Sequence, residues 1–236
     1  MPDALIFIIP IVIVVIALVA WYSHEQAKKR REGLAAVAQQ LGWRFDPSHD
    51  GGWDTHYGQF GWFTTGHSRY AYNILTGNIP MNGRQLPAAM GDYTYKVTSG
   101  SGKDRRTTTY RFSFLLVDLP YMGLPELSVR KEGLFDGFTA LLGFNDIDFE
   151  SEEFSRKFHV KSPDKRFAYD LIHPQMIEFL LAETPPTFEI NRSVWCGRGS
   201  GCWEPAEFAR QVAWCEHFLS HWPRHMMADL ESRATR

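Results

Sequence analysis

Asp92-Tyr93-Thr94-Tyr95-Lys96-Val97 and Thr109-Tyr110-Arg111-Phe112-Ser113-Phe114, with Ser99-Gly100-Ser101-Gly102-Lys103-Asp104 between them, decide the fold. Both hexads alternate. Tyr93, Tyr95 and Val97 share one face of the first, and Tyr110, Phe112 and Phe114 share one face of the second. A period of two is the period of a strand, and a connector of Gly, Ser and Asp is turn chemistry. The three segments predict a β-hairpin with one aromatic face. Residues 69–76 and 59–65 are further strand candidates, and Gly58, Gly61, Gly66, Gly77, Gly83 and Gly91 punctuate the region. An antiparallel meander from residue 43 to about residue 119 follows.

The texture then becomes mixed. Residues 125–130 and 157–161 read as short strands, and 134–142 as a short helix stopped by Gly143. Ser151, followed by Glu152 and Glu153, has the composition of a helix start. Ser162-Pro163-Asp164 opens a helix to about Ile172, and Pro174 restarts one through Leu181. Residues 187–195 are β-rich, and Cys196-Gly197-Arg198-Gly199-Ser200-Gly201-Cys202 reads as a turn. Phe208, Val212, Cys215, Leu219 and Trp222 fall on one face of a last helix over 205–222. Pro223 is read as its end, with 224–236 as an exposed tail. The fold class is α+β.

Ahead of all this stands ALIFIIPIVIVVIALVAWY, residues 4–22, without a charge. At the helical rise it spans about 28 Å, the thickness of a bilayer's hydrocarbon core. A cleaved signal peptide would carry a positive leading region, whereas Asp3 is the charged side chain before the apolar run. A buried soluble helix is seldom apolar all round over this length. Lys28-Lys29-Arg30-Arg31 follows the span, and the positive-inside rule puts these four residues beside the lipid on the cytoplasmic side. The expected organisation is a transmembrane anchor over 1–22, a juxtamembrane helix over 23–42 carrying Leu34, Val37, Ala38 and Leu41 at helical spacing, and a cytoplasmic α+β domain over 43–223. The expected setting is a cell membrane, crossed once.

Composition narrows function by exclusion. The 236 residues carry 25 Lys+Arg against 27 Asp+Glu, and residues 32–236 alone have a net charge of −4, which argues against a nucleic-acid partner. Arg69, Lys96, Arg105, Arg106 and Arg111 do accompany the aromatic strands, but the rings sit at core periodicity. Three cysteines are too few for a disulfide scaffold.

Phe149-Glu150-Ser151-Glu152-Glu153-Phe154-Ser155-Arg156-Lys157-Phe158, followed by Tyr169-Asp170-Leu171-Ile172-His173-Pro174-Gln175-Met176-Ile177-Glu178-Phe179-Leu180, resembles a segment of uncharacterised bacterial membrane-anchored proteins that share a domain of unknown function. The resemblance covers 149–180 and the anchor. It implies a bacterial, membrane-anchored α+β protein and carries over no catalytic residue.

The chemistry-bearing candidates each have a structural explanation. Cys196, Cys202, Cys215, His217 and His221 offer zinc-type ligands, but C-x5-C-x12-C-x5-H is looser than zinc spacing, and Cys215 falls on the apolar helix face. A Cys196–Cys202 disulfide would require an oxidising compartment. Asn145, Asp146, Asp148, Glu150, Glu152 and Glu153 lack the order of a calcium loop. Lys103 is followed by Asp104, where a phosphate loop needs Ser or Thr. His159 and His173 read as structural. No catalytic, cofactor or metal residue is assigned, and no cofactor is expected. A membrane-tethered interaction or accessory module without catalytic activity is expected, its partners the bilayer and an unknown protein. The alternatives are an enzyme acting on a membrane-proximal substrate and a C-terminal zinc-binding module.

Overall fold

The computed structural model describes residues 2–131, 146–183 and 185–234. The helix expected over 134–142 lies outside them. α1 (Pro2–Leu41) is one continuous helix that carries the apolar run directly into the folded domain, and Gly42, at φ +67°, terminates it. β1 (Arg44–Asp50) follows, then two single-turn helices, α2 (Trp53–His56) and α3 (Gly61–Thr64). β2 (His67–Met81) and β3 (Arg84–Ser99) form a long hairpin closed by Asn82-Gly83, both at positive φ as a two-residue hairpin turn requires. A single 3-10 turn at Gly102–Asp104 leads into β4 (Arg106–Asp118), then β5 (Leu127–Lys131). α4 (Glu152–Lys157) starts at Ser151, whose hydroxyl accepts the Phe154 amide. β6 (Phe158–Lys161), α5 (Lys165–Leu171), capped by Asp164, and α6 (Pro174–Ala182) come next. β7 (Thr187–Asn191), β8 (Val194–Arg198), α7 (Pro205–Ser220) and α8 (Arg224–Ala234) complete the chain.

The architecture is α+β. The strands form one sheet in the order β1-β2-β3-β4-β8-β7-β5-β6, every neighbouring pair antiparallel. Pro47 lies in β1, an edge strand, where a missing amide does least harm. Both faces of the sheet are covered. One carries the larger core, in which Leu75, Ile79, Met90 and Leu115 meet Leu34, Val37 and Ala38 of α1, Phe208 and Phe218 of α7, and residues of α5 and α6. The other is the aromatic face, where Tyr93, Phe112 and Phe114 are sealed by Trp53, Phe60, Trp62 and Phe63.

Three expectations need correcting. Residues 59–65 form no strand. They make a tight turn and α3, because three large rings there, Phe60, Trp62 and Phe63, must fold over the aromatic face. The stretch 187–195 is two strands, turned by Arg192-Ser193 with φ of +48° and +63°, so Cys196, Gly197 and Arg198 are strand residues and not a turn. The tail over 224–236 is helix α8 as far as Ala234, and Met226, Met227 and Leu230 are buried against the main core. Pro223 sits just ahead of α8 and its carbonyl accepts the Met227 amide, so this proline begins a helix as well as ending one.

Candidate functional site

Leu86, Ala88 and Met90 of β3 project into the core on the helical face of the sheet, and by strand alternation Asp92 points to the same face. Asp92 is fully buried and sits where an apolar residue is expected. Its charge is met from three elements. Arg30 of α1 donates through Nη2 to Oδ1 at 2.6 Å and through Nε to Oδ2 at 2.8 Å. Ser113 Oγ of β4 donates to Oδ1 at 2.7 Å, and Asn73 Nδ2 of β2 to Oδ2 at 3.0 Å. Asn73 occupies a bulge in β2 at φ +55°, a conformation asparagine tolerates better than most side chains. Arg30 Nη1 also donates to the Trp203 carbonyl at 2.8 Å, and the Trp203 amide donates to Ser113 Oγ at 2.9 Å. Burial disfavours the guanidinium charge, yet the Asp92 carboxylate outweighs it and raises the Arg30 pKa above its ordinary value. This two-pronged pair fixes α1 to the sheet. Close approach helps: a Cβ on Gly33 would stand 2.9 Å from the Pro205 ring at the start of α7.

Beside this pair a cleft of about 570 Å3 opens between α1, β1, β2 and the loop before α7. Lys29 and Arg31 reach it from α1, Arg111 from β4, and Glu204 from the loop. His49, Tyr70 and Tyr72 form an aromatic wall, with His49 stacked on Tyr70 at 4.6 Å and edge-on to Tyr72 at 5.9 Å. Cys202 completes the lining. Partial desolvation at the cleft, followed by the Asp92 charge, raises the pKa of both the Tyr72 phenol and the solvent-accessible Cys202 thiol, so both stay protonated at neutral pH. A thiol and a phenol so raised react slowly and offer hydrogen bonds, so the cleft has no activated nucleophile.

The structure divides the basic tetrad. Lys28 faces away, 4.0 Å from Glu32. Lys29 and Arg31 line the cleft. Arg30 is held by Asp92 and the Trp203 carbonyl, so it serves the protein interior rather than a lipid surface. Asp92, Ser113 and Asn73, the residues the sequence reading missed, carry one signal: a carboxylate in phase with the apolar Leu86-Ala88-Met90 stripe.

The zinc-type candidates are separated. All three cysteines are free: Cys196 lies in the core on the aromatic face of the sheet, Cys215 in the core on the helical face, and Cys202 in the cleft. His221 stacks on Phe179 at 4.7 Å, and its Nδ1 sits 2.8 Å from the His217 carbonyl. Among the described residues no group of three His, Cys, Asp or Glu side chains is placed to hold a metal. Asp146 contacts His159 at 2.8 Å and Lys161 at 3.8 Å, and Ser151 caps α4, which accounts for much of the acidic series. His173 Nε2 lies 3.0 Å from the His221 carbonyl. Arg69 pairs with Asp54 at 2.8 Å, and Tyr95 stacks on Tyr110 at the rim of the aromatic core.

A solved structure shares this architecture. The fold is similar to that of the mycobacterial trehalose monomycolate transport factor A, TtfA. The likeness covers 84% of this chain and 96% of that one, with a TM-score of 0.55 and 14% identity. At that identity the common property is the fold. No protein-family model matches the chain, and no curated protein matches it in sequence.

Proposed function

We propose that the protein is a single-pass membrane protein with its N-terminus outside and its folded domain in the cytoplasm, and that it works as a membrane-tethered protein-interaction or accessory module without catalytic activity. The observation that carries this is the continuity of α1. From Ile11 to Tyr22 its large apolar side chains are exposed, none by less than 47%, whereas Leu34, Val37 and Ala38 are buried in the domain. Among the described residues it is the one helix long and apolar enough to cross a membrane. Water strongly disfavours such a bare apolar surface, and a bilayer accommodates it. Lys28, Lys29 and Arg31 lie just beyond the span, which supports the inward orientation and their nearness to lipid. TtfA is a transport factor by name, which supports an accessory role, and the resemblance over 149–180 supports a bacterial setting. An enzyme working on a membrane-proximal substrate is the second reading, and the cleft is what favours it. The protonated state of Tyr72 and Cys202 favours binding over reaction.

Sidedness is testable with a native probe. Cys202 is exposed, whereas Cys196 and Cys215 are buried. A membrane-impermeant maleimide should leave the protein unmodified in spheroplasts and label Cys202 once the membrane is opened. Labelling in sealed spheroplasts would overturn the cytoplasmic placement.

A further inference from the structure

We propose that the cleft beside α1 binds a phosphate-bearing headgroup, supplied by an anionic phospholipid of the leaflet the helix leaves. The inference rests on the membrane anchoring proposed above and deepens it. Ser23, the residue after Tyr22, lies at one end of the cleft and Arg31 at the other. At the helical rise these ends are about 12 Å apart along α1, so the Ser23 end opens within the headgroup layer and the Arg31 end lies just beyond it. Lys29, Arg31 and Arg111 supply three cations against the carboxylate of Glu204, while Arg30 and Asp92 neutralise each other at the cleft's inner wall. Residues 32–236 are acidic as a whole, so the positive charge gathered here is local.

Lys29, Arg31 and Arg111 make no ion pair among the described residues. Lys29 and Arg31 flank Arg30 on α1 and Arg111 comes to the same cleft from β4, so like charges gather around one concavity and an anion relieves their repulsion. Arg offers planar, paired donors to phosphate oxygens, and Lys a mobile point charge. The Tyr72 hydroxyl and the His49–Tyr70 ring pair of the wall suit the glycerol beyond the phosphate. A volume of about 570 Å3 admits a headgroup and the first carbons behind it, with the acyl chains left in the bilayer.

Cys202 reports on occupancy because it lines the cleft and the other two thiols are buried. The full chain is reconstituted into vesicles of phosphatidylcholine alone, or of phosphatidylcholine and phosphatidylglycerol in equal parts. Alkylation of Cys202 by an uncharged maleimide is timed in each, and flotation checks that the protein is in the bilayer. The anionic vesicles should slow alkylation by about fivefold or more, and the double variant Lys29→Gln/Arg111→Gln should lose most of that slowing. A slowing from the membrane's surface charge alone would persist in the variant, and that result overturns the proposal. A third arm adds soluble glycerol phosphate to phosphatidylcholine vesicles. Protection there without protection by phosphatidylglycerol would keep the phosphate site and reassign its source to a soluble ligand. Equal rates in all three arms would overturn the site. Loss of flotation would refute the anchor itself, and the soluble arm would still test the cleft.

Discussion

Replacing Arg30 with Met is expected to destabilise the folded domain by about 3 kcal/mol, at the lower end of what breaking a buried ion pair costs. The lower end applies because the Arg30 side chain keeps 21% of its exposure, whereas Asp92 has none. Without Arg30 the Asp92 carboxylate keeps only Ser113 and Asn73, two neutral donors, in a site closed to water. For a chain of this size that loss corresponds to a fall in Tm of about 6–12 °C, read by near-ultraviolet circular dichroism of the full chain in neutral detergent. The same asymmetry sets the order of the variants. Asp92→Asn strands a guanidinium that still reaches water, so it should cost less than Arg30→Met. The double variant Arg30→Met/Asp92→Leu should regain much of the loss, because neither charge is left unpaired. An Arg30→Met protein as stable as the parent would mean that α1 is not fastened at this point.

Glu189→Gln is expected to stabilise the protein above neutral pH and to flatten its pH dependence. Glu189 sits on β7 between β8 and β5, almost entirely buried. Burial pushes its carboxyl up to about 8, with Ser128 and Arg130 pulling weakly the other way. Near pH 4 the carboxyl is mostly protonated in both states and contributes little. As pH rises from about 4.5 toward 8 the unfolded chain releases the proton and the folded chain keeps it, so stability falls through that window. Above 8 both forms are ionised and the penalty is complete, on the order of 5 kcal/mol. Gln keeps a partner for the Ser128 hydroxyl at 3.4 Å and carries no charge. Urea unfolding at pH 5, 7 and 9 should show the two proteins converging at the acid end and diverging at the alkaline end. Parallel curves would show that Glu189 already ionises freely when folded.

The β-hairpin was legible because its hydrophobic period is local. Tyr93, Phe112 and Phe114 lie together in the core, as alternation requires, and Gly100 and Gly102 turn the chain at positive φ. The helix starts at Ser151 and Pro174 were legible for the same reason, since a cap needs only its own turn. The failures share the opposite property. Gly77 and Gly91 read as breaks but lie inside β2 and β3. Gly77 is there because the Trp43 indole covers it, and a Cβ would sit 2.3 Å from that ring, a contact no local pattern announces. The β7–β8 turn uses Arg192-Ser193 at left-handed angles, without the Asn or Gly that normally signals it. Helix α8 was hidden by a polar surface and by reading Pro223 only as a terminator, although Met226, Met227 and Leu230 carry a helical face.

The site was legible in part. The positive tetrad stands out in sequence, but its four residues do different things. The partner that claims Arg30 lies 62 positions away on a strand, and Arg111 and Cys202 reach the cleft from later elements still. A carboxylate placed directly after an apolar stripe on the same strand face, as Asp92 follows Leu86, Ala88 and Met90, is the cue that would have pointed to the docking pair.

The central claim is that α1 is an integral span continuous with the folded domain. Washing membranes of cells that carry the full chain with alkaline carbonate tests it most directly, because peripheral proteins are released and spanning ones stay. The parent protein should remain with the membranes, and the Ile13→Arg/Ile16→Arg variant should leave them, since each arginine at mid-span costs about 3 kcal/mol. Release of the parent protein into the carbonate wash, or retention of the double variant, would contradict the account.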